Sequence, residues 1–117
     1  MKFALLITAA PFSTQGAETA LRFARAALSN GHSIERVFFF RDGVHNASTF
    51  AVAPQDEANV PTAWQQFCEA QAIDAVVCVS AALKRGIVDS NVGNISIAGL
   101  GLLTDAIINA DRVLTFG

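Results

Sequence analysis

Two hydrophobic periods alternate along the chain. Short, nearly unbroken apolar runs are separated by longer stretches in which apolar residues recur every three or four positions. The first pattern suits strands covered on both faces and the second suits amphipathic helices. Residues 2–8, with Phe3-Ala4-Leu5-Leu6-Ile7, predict the first strand. A loop carrying Pro11 and Ser13-Thr14 follows. Over residues 15–29, Ala17, Ala20, Leu21, Ala24, Ala27 and Leu28 form one stripe, and Asn30-Gly31 closes the helix. Residues 33–40 predict a second strand, rich in Phe38-Phe39-Phe40, with the loop Arg41-Asp42-Gly43-Val44-His45-Asn46 at its end.

Residues 50–61 have no clear period and read as irregular. Pro61 suits the first turn of a helix reaching about Gln71, with Trp64, Phe67 and Cys68 on one face. Residues 73–79 predict the third strand, and a short helix follows from Ser80 or Ala81 toward Arg85, stopped by Gly86. After a loop over 87–93, Ile95-Ser96-Ile97 predicts a short strand. A helix runs from Gly99-Leu100-Gly101 through Asn109, and residues 111–116 predict the last strand. Strands and helices alternate with short connections, so the expected fold class is α/β. The architecture is a single domain, residues 1–117, in three layers: a parallel sheet of about five strands with helices on both faces.

Composition narrows the function. Hydrophobic residues make up 52% and charged residues 15%, against an average of about 25% charged for globular domains. The apolar surplus is assigned to subunit interfaces. Net charge is −2, Lys2 and Lys84 are the only lysines, and six arginines are scattered without a basic run. Direct nucleic-acid binding is therefore not expected. Cys68 and Cys78 do not form a CxxC pair, and His32 and His45 stand alone, so neither a metal nor a cofactor is expected. No apolar run approaches the ~18–20 residues that span a bilayer. The apolar N-terminus fits a buried strand better than a signal peptide, and a cytoplasmic protein is expected.

The chemistry concentrates in Ala75-Val76-Val77-Cys78-Val79-Ser80-Ala81-Ala82-Leu83-Lys84-Arg85-Gly86. A buried strand there delivers a thiol to its C-terminal end, the edge where open α/β sheets place their sites. Cys78 is accordingly the candidate catalytic nucleophile; the competing reading is a core cysteine, since cysteine is among the most buried residue types. A free thiol has a pKa of about 8.5. A helix N-terminus supplies only about 0.3–1 kcal/mol, less than one pKa unit, so activation also needs a cation. Lys84 and Arg85 are candidates, with a plain pair of helix-terminal cations as the alternative. His45, at the same edge of a parallel sheet, is a candidate proton donor or hydrogen-bond partner. Cys68 reads as core or interface filler. The 13–16 loop, Ser-Thr-Gln-Gly, precedes a helix but lacks both common phosphate-loop patterns. Gly99-Leu100-Gly101 reads as permitting close packing or a tight turn.

These segments together are similar to a known family. The Pro-x-Ser-Thr-Gln loop, Phe38-Phe39-Phe40-Arg41-Asp42-Gly43-Val44, Ala63-Trp64-Gln65-Gln66, and above all Cys78-x-x-Ala81-Ala82-x-x-Arg85-Gly86-x-Val88-Asp89 resemble the DsrE-like sulfurtransferases, and within them the TusD branch. The resemblance covers essentially the whole chain. It implies a persulfide relay in which Cys78 takes sulfur from a TusA-like donor and passes it to a TusE-like acceptor, for 2-thiolation of the tRNA wobble uridine. It also implies a hetero-oligomer with TusB-like and TusC-like subunits. One departure is visible: between residues 89 and 99 this chain is shorter than the family pattern. Two other readings stand beside the relay. One is a non-catalytic assembly subunit of the same family. The other is a flavodoxin-like binder of flavin or phosphate that uses the 13–16 loop.

Overall fold

The computed structural model describes all residues, Met1–Gly117. Each apolar run becomes a strand: β1 (Lys2–Ile7), β2 (Ser33–Phe39), β3 (Ala75–Cys78), β4 (Ser96–Ala98) and β5 (Arg112–Phe116). They form one sheet in the order β4-β3-β2-β1-β5, parallel throughout. The helical periods become α1 (Gly16–Ser29), α2 (Val60–Ala70), α3 (Val79–Leu83) and α4 (Gly101–Asn109). The five-stranded parallel α/β architecture is thus the one the alternation predicts. Strand ends are trimmed, because Val79 already belongs to α3 rather than β3. The loop predicted over 41–46 is a 3-10 helix, Arg41–Ala47, and a second 3-10 turn, Asp89–Asn91, lies within the predicted 87–93 loop.

From β1 to β4 the chain steps one way across the sheet, then returns to lay β5 on the far side of β1. With right-handed crossovers the reversal puts α1 and α2 on one face and α4 on the other. Trp64 joins the first pair. Its Nε1 donates to the Ala17 carbonyl at 3.1 Å, and its ring meets Phe39 edge-on at 5.5 Å. Asn59 starts α2 by accepting the Thr62 amide on its side chain, with Pro61 in the first turn as expected.

On the other face Arg36 of β2 is the clamp for α4. Its guanidinium donates to the Leu102 carbonyl at 2.8 Å and to Asp105 at 3.1 Å, while Nε donates to Asp74 at 2.7 Å. Burial opposes the charge, but the hydrogen bonds to Asp74 and Asp105 outweigh it and raise the Arg36 pKa. Coverage is unequal. α1 buries Ala17, Ala20, Leu21, Ala24 and Ala27, whereas α4 buries only Ala106 and leaves Ile107 and Ile108 47% and 75% exposed. Part of the apolar surplus therefore lies on α4, and the rest is spread over other segments such as Phe50 and Val52.

The 3-10 helix is locked to the end of β1. Asn46, fully buried, donates from Nδ2 to the carbonyls of Ala9 and Gly43 at 3.0 and 2.9 Å. A Cβ at Gly43 would overlap the Ile7 carbonyl, and the atoms it meets are all backbone of Ile7 and Thr8, which cannot swing aside as a side chain would. Gly43→Ala is expected to lower stability by about 1–3 kcal/mol through overpacking, read as an earlier urea midpoint; an unchanged midpoint would refute the close approach.

Cys68 sits on α2 beside Trp64 and Phe67, as core, in agreement with its sequence assignment. Burial, with a smaller contribution from the Asp74 charge, pushes its thiol up to about 12. An acid whose pKa is raised by folding stabilises the fold fully below its unfolded value and loses that contribution as pH rises toward the folded one. Stability should therefore fall between about pH 9 and pH 12. Cys68→Ala should lack that component of the fall when urea midpoints are compared across the range.

Candidate functional site

β3 is buried at every position, so its side chains reach free space only where the chain leaves the sheet. Cys78 is that last position, with extended backbone (φ −65°, ψ 124°), and α3 starts at the next residue. Cys78 pairs with Ala98 of β4 and shares its sheet face with Val76. Val76 lies opposite Phe38, which alternates with Phe39 beneath Trp64, so Cys78 faces the α4 side. Cys68, on α2, belongs to the opposite face, and both cysteines are free thiols.

Cys78 is only 3% exposed, yet it forms part of the wall of a cavity of about 460 Å³ at the carboxyl edge of the sheet. Phe40, Arg41, Lys84, Arg85 and Leu100 line the same cavity. Register explains Phe40 and Arg41. Phe39 lies opposite Val77, so the residues that follow on β2 flank the residue that follows on β3. Arg41 has φ 52°, the left-handed region that non-glycine residues rarely hold, and its Cζ lies 5.8 Å from the Phe40 ring centroid.

Lys84 and Arg85 fall just beyond α3. Because α3 is barely more than one turn, the residues at both of its ends line one cavity; Lys84 is exposed and Arg85 half-buried. Arg85 is fixed twice. Its Nε donates to Asp42 Oδ1 at 3.0 Å and Nη1 donates to the Ala81 carbonyl at 3.0 Å. Arg41 and Lys84 have no carboxylate partner. The arrangement brings a thiol, open space beside it and three cationic side chains to one cavity.

Other candidates lie elsewhere. His45 does not reach this cavity: it lines a separate one of about 600 Å³ with Asp42, Phe12 and Phe50. The 13–16 loop leads into α1, where Gly16 permits a close approach. A Cβ there would stand 2.6 Å from the Gly117 carbonyl oxygen and 2.7 Å from the Ala9 Cβ. Gly99 lines the thiol cavity, but Gly99 and Gly101 have open space where a Cβ would stand, so this segment is a turn and not a packing device. Its turn bonds run from Leu102 N to the Gly99 carbonyl and from Leu103 N to the Leu100 carbonyl. Sequence reasoning missed Phe40, Arg41 and Leu100. Their signal was present in the strand ends beside Cys78 but became legible only once the strand order was known.

No three of the His, Cys, Asp and Glu side chains gather closely enough to hold a metal ion, and no helix is long and apolar enough to cross a membrane. In fold the chain is similar to the ychN protein from E. coli, with a TM-score of 0.87 over 99% of each chain at 24% identity. In sequence it is 43% identical to the sulfurtransferase TusD homolog of Pseudomonas aeruginosa, over all of this chain and 98% of the relative. It is 39% identical to sulfurtransferase TusD of Cronobacter sakazakii, over 99% of this chain and all of the relative. The first of these alignments spans 129 positions against 117 residues here, so the relative carries residues that this chain lacks. The family model described as DsrE/DsrF-like matches residues 1–116. With agreement running along nearly the whole length and with relatives named for this activity, the chain belongs to the DsrE/DsrF-like family of sulfurtransferases.

Proposed function

We propose that Cys78 is the catalytic residue and carries the sulfur as a persulfide, with residues 1–117 acting as one sulfurtransferase domain. The Cys78 thiolate attacks the outer sulfur of a donor persulfide. The donor's S–S bond breaks, the donor leaves as its thiolate, and Cys78 holds S–SH. An acceptor thiolate then attacks that outer sulfur and displaces Cys78 as a thiolate. The sequence of steps is thiol exchange throughout and needs neither metal nor organic cofactor. The observation that carries the reading is the placement of Cys78 in the wall of a cavity that also takes Arg41, Lys84 and Arg85.

Relatives named TusD support a place in a relay of Tus proteins. On that reading the donor is TusA-like, the acceptor is TusE-like, and the sulfur is destined for 2-thiolation of the tRNA wobble uridine in the cytoplasm. TusB-like and TusC-like subunits would complete a hetero-oligomer. Exposed Ile107, Ile108 and Leu83 offer apolar surface for such contacts.

Incubation with a low-molecular-weight persulfide and weighing of the intact protein tests the assignment. One added sulfur raises the mass by about 32 Da. That adduct should form in the wild type and in Cys68→Ser and be absent in Cys78→Ser. An adduct that persists without Cys78, or an inert wild type, would leave a non-catalytic assembly subunit as the better account.

A further inference from the structure

We propose that Asp42 is a positioning residue for sulfur transfer at Cys78: its carboxylate holds the Arg85 guanidinium in the wall of the thiol cavity, where that charge favours an anionic sulfur. This rests on the reading of Cys78 as a sulfur carrier and adds to it a residue from outside the cavity. Asp42 lines the neighbouring cavity with His45 and is absent from the wall of the one that holds Cys78. Its contact is with Arg85, whose Nε donates to Asp42 Oδ1 at 3.0 Å.

The three cations of the cavity wall are held differently. Arg41 and Lys84 have no carboxylate partner, and of the three only Arg85 makes side-chain hydrogen bonds. Its second bond, from Nη1 to the Ala81 carbonyl at 3.0 Å, folds the side chain back onto α3, the helix that starts directly after Cys78. An unpartnered arginine side chain samples many rotamers. Bonds from two different nitrogens fix both the place and the plane of the guanidinium, and they leave its other N–H donors for an anion in the cavity.

Asp42 is itself mounted on a rigid support, the 3-10 helix Arg41–Ala47. Gly43, the next residue, stands too close to the Ile7 carbonyl to carry any side chain, and the buried Asn46 ties that turn to the Ala9 and Gly43 carbonyls. A group held from a fixed element is placed more precisely than one on a mobile loop. The pair also joins the segment after β2 to the segment after α3, and no other ion pair links two of the segments that leave the strands at their carboxyl ends. With the Asp42 side chain 65% exposed, such a pair contributes little to folding. Its consequence is where the Arg85 charge stands.

Two roles for Asp42 predict opposite signs. As a bare negative charge near the thiol it opposes the thiolate, so its removal would speed thiolate chemistry. As the anchor of Arg85 it keeps a cation in place, so its removal slows that chemistry. Alkylation of Cys78 by the neutral reagent iodoacetamide, followed across pH with peptide mapping to exclude Cys68, reads the sign. Asp42→Asn should slow alkylation at pH 7 about three- to ten-fold, the scale of displacing one charge near a partly solvated site, and the pH of half-maximal rate should rise. Arg85→Gln should do the same, and Asp42→Asn added to it should slow the reaction no further. Asp42→Glu, which keeps the carboxylate, should recover most of the rate, and the urea midpoint of Asp42→Asn should match that of the wild type. Addition of about 32 Da from a low-molecular-weight persulfide should slow in parallel. Alkylation of the Asp42→Asn variant at the wild-type rate or faster, further slowing in the Arg85→Gln background, no recovery with Glu, or an early urea midpoint would each overturn the proposal. A wild type that takes up no sulfur at Cys78 overturns the carrier reading; a wild type that loads at a rate Asp42→Asn leaves unmoved overturns this inference alone.

Discussion

A strand sealed on both faces can deliver chemistry only at its end. β3 lies inside the sheet between β2 and β4, and all four of its residues are buried. Its backbone polar groups are satisfied by the neighbouring strands, and its side chains by packing. Cys78 is the first position at which a β3 side chain meets open space. Because every strand runs the same way, the carboxyl ends converge on that one edge. β2 leads into Phe40 and Arg41 there, β4 leads into Gly99 and Leu100, and Lys84 and Arg85 follow α3 into the wall of the same cavity. The composition of the site follows from which strands are neighbours.

The two faces of the sheet serve different ends. Beneath α1 and α2 the packing is dense and aromatic, centred on Trp64 against Phe39 and Phe67. The α4 face is thinly covered, and Arg36 holds that helix through polar contacts, not through a deep apolar seam. The thiol opens on the thinly covered side, next to Leu100 at the start of α4. The exposed isoleucines of α4 lie on the helix that follows Leu100 of the cavity wall.

The two cysteines show how far environment divides one side chain from another. Cys68 lies on the buried side of α2, where burial and Asp74 both oppose its anion, and it behaves as a small apolar residue. Cys78 is equally buried by area, but a cavity stands before it and cations line that cavity. Fractional exposure alone would treat the two alike; the neighbours distinguish them.

Hydrophobic period was enough to place the five strands and four α-helices of this protein in order, though not its two 3-10 helices, because a doubly covered strand and an amphipathic helix bury their residues at different spacings. It also put Cys78 at the end of a buried strand, since the run of β-branched residues stops there and small residues follow. Arg41 and His45 were beyond its reach. Both follow β2, but their chain folds as a 3-10 helix with about three residues per turn, in which positions four apart point roughly 120° apart. Arg41 lines the thiol cavity and His45 a different one. Local pattern determined the elements because burial period is a local property. Which cations surround the thiol was decided by the order of strands across the sheet, which depends on contacts between residues far apart in the chain.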